Sequence, residues 1–393
     1  MNILFVSDTY YPHVNGVYYF VCRIGPILRK RGHNVAVIAP AESSRFTKKV
    51  IDSIDVFGMP SIPILIYPKV RIPLPFFLRR RIRHLLSSFR PDVIHVQDHF
   101  RLSREVIAAG KHLGIPIVAT NHFMPENLTA FLPSKRWRQL AESKMWCGFS
   151  KVYNQVSLVT TPTETAARLI RPRLNVDVLA VSSGIDLEQF RPSGEARDIR
   201  RKYRIPPGPT LLFVGRLDPE KKLEQVLKAV ALAGRLTAFT LVVVGRGARS
   251  SALRSLSKQL GIEHRVVFTG FVPEADLPCL YQVSRCFIIA SVAELLSLAT
   301  LQALASGLPV IAANAGALGE LVQDNVNGFL FDPGDITTMS DRIVRLMTDD
   351  RLCRQMSRMS LTIAPTHDLR RSADIFESIY EGESTNWDLL VEP

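Results

Sequence analysis

The sequence contains no apolar run near the roughly 18–20 residues needed to cross a bilayer as a helix, so a helical membrane-spanning protein is excluded. Its five cysteines (Cys22, Cys147, Cys279, Cys286 and Cys353) are odd in number and scattered, with no CxxC pair. They encode neither a disulfide framework nor a zinc site, and a reducing cytoplasm is the expected location. The opening Met-Asn-Ile-Leu-Phe-Val-Ser-Asp lacks the basic start and small-residue cleavage site of a secretion signal; it predicts a first buried strand. Tandem repeats with a period of roughly 20–50 residues are missing too, which rules out a solenoid. Acidic residues are in deficit: 36 Asp and Glu face 49 Lys and Arg, a formal charge of +13 that favours anionic partners. That charge is not interleaved with aromatic stacking residues and no nucleic-acid module is recognisable, so nucleic acid is the least favoured of those partners.

What the chain does have is length for about two cores and a repeated strand–helix alternation. Asn2–Val6, Asn34–Ile38, Asp92–Val96, Ile115–Ala119 and Leu158–Thr160 are short and rich in β-branched residues, and Tyr18–Arg31 shows helical spacing between the first two. After a polar stretch the pattern restarts with strands at Thr210–Val214, Phe239–Val244, Val266–Phe268, Cys286–Ile289 and Val310–Ala312, and with helices at Leu223–Ala233 and Ser250–Leu260. Alternation of this kind predicts an α/β protein of two Rossmann-like, doubly wound parallel sheets, with ligands bound at the strands' C-terminal ends. A hinge is expected near Phe190–Gly194, giving domains 1–190 and 191–368 that face each other across a cleft suited to a small anionic ligand.

The loops after these strands hold the residues with chemistry. The first strand runs into a turn containing Asn15-Gly16-Val17, where Gly16 is either a plain turn residue or the place where backbone N–H groups approach an anion or sugar. Thr210–Val214 leads directly into Gly215, Arg216 and, at the entrance of the next helix, Lys221. Two cations five residues apart at a strand-to-helix turn suit a diphosphate, aided by the partial positive charge of the helix start; a solvated charge cluster is the alternative. Val243-Val-Gly-Arg-Gly-Ala-Arg-Ser carries Gly245 and Gly247 but Ser250 where a third dinucleotide-fingerprint glycine belongs, so Gly245 is read as a close backbone approach to a ligand at the cleft mouth. Glu294 lies just before a helix containing Gln302, placed either to bind ligand hydroxyls or to cap that helix. His122 follows strand Ile115–Ala119 in a position expected of a ligand loop, or else is structural.

Residues 69–90 hold seven Lys and Arg and no acid. Leu78, Ile82, Leu85, Leu86 and Phe89 recur at helical spacing and are expected to pack on the first sheet. Arg79, Arg80, Arg81 and Arg83, with Phe76 and Phe77 just ahead, form a basic face suited to an anionic membrane surface.

Taken in this order, these segments resemble the retaining glycosyltransferases of family four, over nearly the whole chain. Ser183-Gly184-Ile185-Asp186 with Phe190-Arg-Pro resembles the family's Asn-Gly-Val-Asp…Phe-x-Pro signature, and Asn15-Gly16-Val17 its N-terminal glycine loop. Gly215-Arg-Leu…Glu220-Lys221 matches its Gly-Arg-Leu…Glu-Lys element, and Glu294 the first acid of its Glu–seven residues–Glu motif. The resemblance implies the GT-B fold, with a last helix at Leu369–Glu381 crossing back so that residues 369–393 complete the first domain. It implies a UDP- or GDP-sugar bound mainly by the second domain through Arg216 and Lys221, through Gly16, Gly215 and Gly245, and through Ser297, Leu298, Ala299 and Gln302. A lipid, lipid-linked or polysaccharide acceptor belongs to the first domain, and His122 and Glu294 attend the transferred sugar. No cofactor or metal is implied. The expected location is cytoplasmic, peripheral to the inner face of the membrane.

Two departures stand out. The second acid of the motif, which binds the ribose in the family, is Gln302, and the glycines flanking the first acid are Leu295 and Ser297. An amide keeps the hydrogen bonds and loses their charge assistance. A nucleotide-sugar epimerase and a catalytically weakened nucleotide-sugar-binding protein are the competing readings.

Overall fold

The structure is a computed structural model, which describes residues 1–382 apart from 12–15, 65–70, 123, 126–128, 130–133 and 193–197. Asn15, Lys69, Ser193 and Gly194 therefore lie outside the described residues.

The chain divides into two compact units, Met1–Gly184 with Leu369–Pro393, and Ile185–Asp368. The division falls six residues before the expected Phe190. Phe190 is wholly buried against Tyr281, and Ile185 makes a β-bridge to Asp368, so the Asp186–Phe190 turn is part of the second core.

In the first unit the strands are β1 (Asn2–Val6), β2 (Asn34–Pro40), β3 (Thr47–Ile51), β4 (Ile54–Met59), β5 (Ser61–Pro63), β6 (Arg71–Pro73), β7 (Val93–Val96), β8 (Ile117–Thr120), β9 (Leu158–Thr161) and β10 (Val178–Ala180). Its main sheet has the order β10-β9-β8-β7-β1-β2-β4-β3, parallel except for the β3–β4 hairpin, while β5 and β6 form a separate ribbon. Side chains of β1 alternate between the two faces: Leu4 and Val6 join the cluster containing Ile82, Leu86 and Val106, whereas Ile3 and Phe5 join Phe20, Ile24 and Phe376. Each face is therefore apolar, as a doubly covered parallel sheet requires. One layer includes α1 (Gly16–Lys30) and the last helix, Leu369–Glu381, which packs on α1. The other includes α2 (Leu78–Phe89) and α3 (Arg101–His112).

The last helix is pinned by a buried polar chain. Tyr380 OH lies 2.6 Å from His95 Nδ1, His95 Nε2 lies 2.6 Å from Thr120 Oγ1, and Thr120 Oγ1 lies 2.6 Å from Thr160 Oγ1. His95 also packs between Phe5, Phe20 and Phe376. Burial first, and the neighbouring His122 second, hold its imidazole well below the usual histidine range.

The second unit has the strands β11 (Thr210–Val214), β12 (Thr240–Val244), β13 (Val266–Gly270), β14 (Cys286–Ile289), β15 (Val310–Ala313) and β16 (Gly328–Phe331). They form one parallel sheet in the order β13-β12-β11-β14-β15-β16 around a single apolar cluster. In both sheets the order reverses at the first strand of the unit, between β1 and β7 and between β11 and β14. The loops there diverge and leave a crevice at the strands' C-terminal ends.

Candidate active site

The second unit's crevice is built from the loops after β11, β12, β14 and β15. The first two are locked backbone to backbone. Gly215 N–H donates to the Val244 carbonyl at 3.0 Å, and Leu217 N–H donates to the Arg246 carbonyl at 3.1 Å. Gly245 has φ +132°, and a Cβ there would lie 1.9 Å from the Gly215 oxygen. The close approach expected at Gly245 is thus made to the neighbouring loop, which explains the glycine without a ligand.

Lys221 ends a short turn after β11, and its ammonium is bonded to the Glu294 carboxylate from the loop after β14; both side chains are largely buried. Arg216 is mostly exposed and meets Asp218 at 3.2 Å and Glu220 at 3.0 Å. Both cations expected to grip a diphosphate therefore already carry carboxylate partners, and the two face three acids. An arriving diphosphate must take the place of those contacts.

Glu294 does not cap the following helix, Leu298–Ala305. Ser297 does: its Oγ accepts from Thr300 N–H at 3.2 Å and from Thr300 Oγ1 at 2.8 Å. The helix start therefore presents Leu298 and Ala299 N–H groups, which have no acceptor within a helix. Glu294 is also fixed through its backbone, whose carbonyl accepts from Ala317 N–H at 3.0 Å. Gly316 has φ +55°, and a Cβ there would come within 2.7 Å of the Glu294 oxygen. Gly316 was not among the expected residues, although Asn-Ala-Gly-Ala-Leu-Gly directly after β15 is a readable turn signal. Gln302 is buried and accepts a 2.9 Å bond from Tyr281 OH, which also donates to the Ala299 carbonyl at 3.1 Å. Ser291, in the same loop region, is fully buried and its hydroxyl has no partner among the described residues.

In the first unit, Gly16 is the first residue of α1, and a Cβ there would meet nothing within 4 Å among the described residues. His122 lies just past β8, with Nε2 2.8 Å from Gln97 Oε1 at the end of the adjacent β7. Burial brings its imidazole down to about 4, so it is neutral near pH 7. In the same unit, Asp98 accepts from Ser7 Oγ and Asp8 N–H, while Asp8 accepts from Leu102 N–H at 2.7 Å and Ser103 N–H at 3.1 Å. Burial, and for Asp98 also the neighbouring Asp8, raises both carboxyls above their usual range. Neither acid was among the expected residues, although Asp8 and Asp98 each sit just beyond a strand end.

On α2, Arg79, Arg80, Arg81 and Arg83 are all exposed while Leu78, Ile82, Leu85 and Leu86 are buried. Arg79 pairs with Glu105 of α3 at 2.7 Å, and Arg81 stacks over Phe46 at 5.6 Å. Among the described residues no helix is long and apolar enough to cross a membrane.

Residues 14–189 match the family described as Glycosyltransferase Family 4, and residues 195–360 match Glycosyl transferases group 1. A GDP-mannose-dependent alpha-mannosyltransferase of Mycolicibacterium smegmatis is 30% identical over 84% of this chain and 84% of its own. The chain is a family 4 glycosyltransferase. A second relative of this glycosyltransferase, the alpha-monoglucosyldiacylglycerol synthase of Streptococcus pneumoniae, is 28% identical over 84% of this chain and 75% of its own. The family 4 enzyme has the GT-B fold: sucrose-phosphate synthase from Thermosynechococcus elongatus superposes with a TM-score of 0.78 over 98% of this chain and 99% of its own, at 16% identity.

Proposed function

We propose that this glycosyltransferase moves a hexose from a UDP- or GDP-sugar to a lipid, lipid-linked or polysaccharide acceptor, with retention and without a metal ion. The observation that carries the reading is the Lys221–Glu294 pair at the β11–β14 crevice, with Arg216 on the same loop as Lys221. Breaking the bond from sugar to diphosphate builds negative charge on the leaving oxygen. Arg216 and Lys221 stabilise that charge, aided by the N–H groups of Leu298 and Ala299. Glu294, released from Lys221 as the diphosphate arrives, accepts hydrogen bonds from the sugar hydroxyls.

No carboxylate is assigned as a covalent nucleophile. The acceptor oxygen attacks from the face the diphosphate leaves; its proton passes to the departing phosphate oxygen, so the configuration at the sugar carbon is kept. His122, uncharged near neutral pH, attends the sugar as a hydrogen-bonding group rather than a cation. Gly16, the first residue of α1, belongs to the donor side. The names of the mannosyltransferase and diacylglycerol relatives support a nucleotide-sugar donor and a lipid acceptor. The basic face of α2 supports a location on the inner membrane surface.

The test is a panel of UDP- and GDP-sugars offered with and without diacylglycerol, in the presence of chelator, following nucleotide release and the anomeric configuration of the product. Acceptor-dependent release with a retained anomer is expected. Interconversion of the donor without acceptor identifies an epimerase, and binding without release identifies a non-catalytic protein.

A further inference from the structure

Gln97 directly follows β7, and its backbone N–H donates to the Val6 carbonyl at 2.8 Å, which carries the β7–β1 pairing one residue further. The side chain is fully buried. Among the described residues its amide makes one hydrogen bond, at 2.8 Å between Oε1 and His122 Nε2. The amide Nε2 is buried with no partner among those residues. A buried amide nitrogen without an acceptor keeps the cost of leaving water, which a leucine or methionine of similar size would avoid. The fold alone therefore disfavours glutamine here. What offsets the cost is the bond to His122.

That bond decides how His122 is presented. A neutral imidazole carries a proton on one ring nitrogen and a lone pair on the other. An amide oxygen only accepts, so Oε1 facing Nε2 puts the proton on Nε2 and leaves the lone pair on Nδ1. The ring itself packs against Phe20 of α1, with centroids 5.4 Å apart. His122 Nδ1 has no hydrogen-bond partner among the described residues, and unlike Gln97 Nε2 it is not sealed from solvent. Burial keeps the imidazole neutral near pH 7, so the lone pair is present there.

We propose that Gln97 is a positioning residue that holds His122 in its Nε2–H form, so that Nδ1 accepts a hydrogen bond from a hydroxyl of the transferred sugar. The inference rests on the reading of His122 as a group beside that sugar. It deepens that reading by stating which ring nitrogen meets the sugar and which way the hydrogen bond runs. A hydroxyl has a hydrogen to give to the lone pair, whereas an ether oxygen or a phosphate dianion has none. The position therefore selects an uncharged, hydroxyl-bearing part of the donor.

The experiment labels the histidines of the full chain with nitrogen-15 and reads the ring nitrogens of His122, identified by the signals missing from His122→Asn. The parent is expected to show a protonated Nε2 and a bare Nδ1 at pH 7. Gln97→Met, which removes the amide at similar volume, is expected to melt at or above the parent temperature and to show a mixture of the two ring forms. Its kcat is expected to fall about tenfold, the scale of one hydrogen bond, with KM for the nucleotide sugar within about twofold because Arg216 and Lys221 are untouched. In Gln97→Glu the carboxylate only accepts; at pH 8 this variant is expected to keep the Nε2–H form and to recover kcat to within about threefold of the parent. A parent ring protonated on Nδ1 overturns the proposal. So does folded Gln97→Met with an unchanged ring form or an unchanged kcat, or Gln97→Glu no better than Gln97→Met. Loss of activity in His122→Asn with none in Gln97→Met contradicts this proposal alone, whereas parental transfer by His122→Asn also removes His122 from the sugar. A protein that transfers nothing contradicts the proposed function, and the ring-nitrogen signals test the hold of Gln97 on His122 independently of it.

Discussion

Lys221 and Glu294 meet across neighbouring strand ends, one beyond β11 and the other beyond β14, at the point where the strand order of the second sheet reverses. The pair keeps a cation and an acid poised in a largely buried site, each satisfied by the other until a ligand separates them. Substituting one member exposes the other's unpaired charge, so the two roles separate in kinetics. Lys221→Ala is expected to lower kcat about 10²–10³-fold, the scale for losing one group that stabilises developing charge. Glu294→Gln keeps the hydrogen bond to the ammonium and is expected to lose less in nucleotide affinity than in turnover. Steady-state rates beside circular dichroism, to show that each variant is folded, check both.

Gly16 and Gly245 should respond in opposite ways to the same methyl group. At Gly245 a Cβ meets the Gly215 oxygen at 1.9 Å in a backbone conformation with φ +132°. Gly245→Ala is therefore expected to destabilise by about 2–4 kcal/mol, read as a lower melting temperature. At Gly16 a Cβ meets none of the described residues within 4 Å. Gly16→Ala is expected to melt within a degree or two of the parent while raising KM for the sugar donor several-fold.

Gln302 is held by Tyr281 OH rather than free to rotate. A carboxylate at that position would accept the same bond with charge assistance and offer its second oxygen to ribose hydroxyls. Gln302→Glu is expected to lower KM for the donor roughly fivefold with kcat little changed, and Tyr281→Phe to raise it. Initial-rate measurements against donor concentration distinguish these from effects on the chemical step.

Stability should fall in mild acid. His95 and His122 are held neutral in the fold, His122 down to about 4, whereas an unfolded histidine titrates near 6.5. Below about 6.5 the unfolded chain binds protons that the fold refuses, so stability is lost as pH falls from there towards 4. Asp98 acts in the opposite sense. Its raised carboxyl keeps a proton in the fold above the unfolded value near 3.9, so its contribution declines as pH rises. Asp98→Asn is therefore expected to steepen the acid loss, measured by urea unfolding at pH 4.5, 5.5 and 6.5.

The strands that carry the site were readable because they are buried on both faces and thus spelled as short unbroken apolar runs. Thr210–Val214 and Cys286–Ile289 match at both ends. The β3–β4 hairpin was not readable. Its outer strand, Thr-Lys-Lys-Val-Ile, is largely exposed and has no apolar alternation, and its turn rests on Asp52 and Ser53 at positive φ rather than on glycine. At the site, sequence supplied the loops but not the partnerships. Glu294 before a helix reads equally as cap or ligand group, and only the fold shows Ser297 capping while Glu294 reaches Lys221. The Asp8 and Asp98 network links residues some ninety positions apart, a relation that local patterning does not encode.

The central claim is that Arg216 and Lys221 hold the diphosphate of the donor. Calorimetric titration of UDP and GDP into the full chain, its Arg216→Ala variant and its Lys221→Ala variant tests it most directly. The account predicts binding of at least one nucleotide by the parent and at least tenfold weaker binding by each variant. Equal affinity in all three proteins would contradict it.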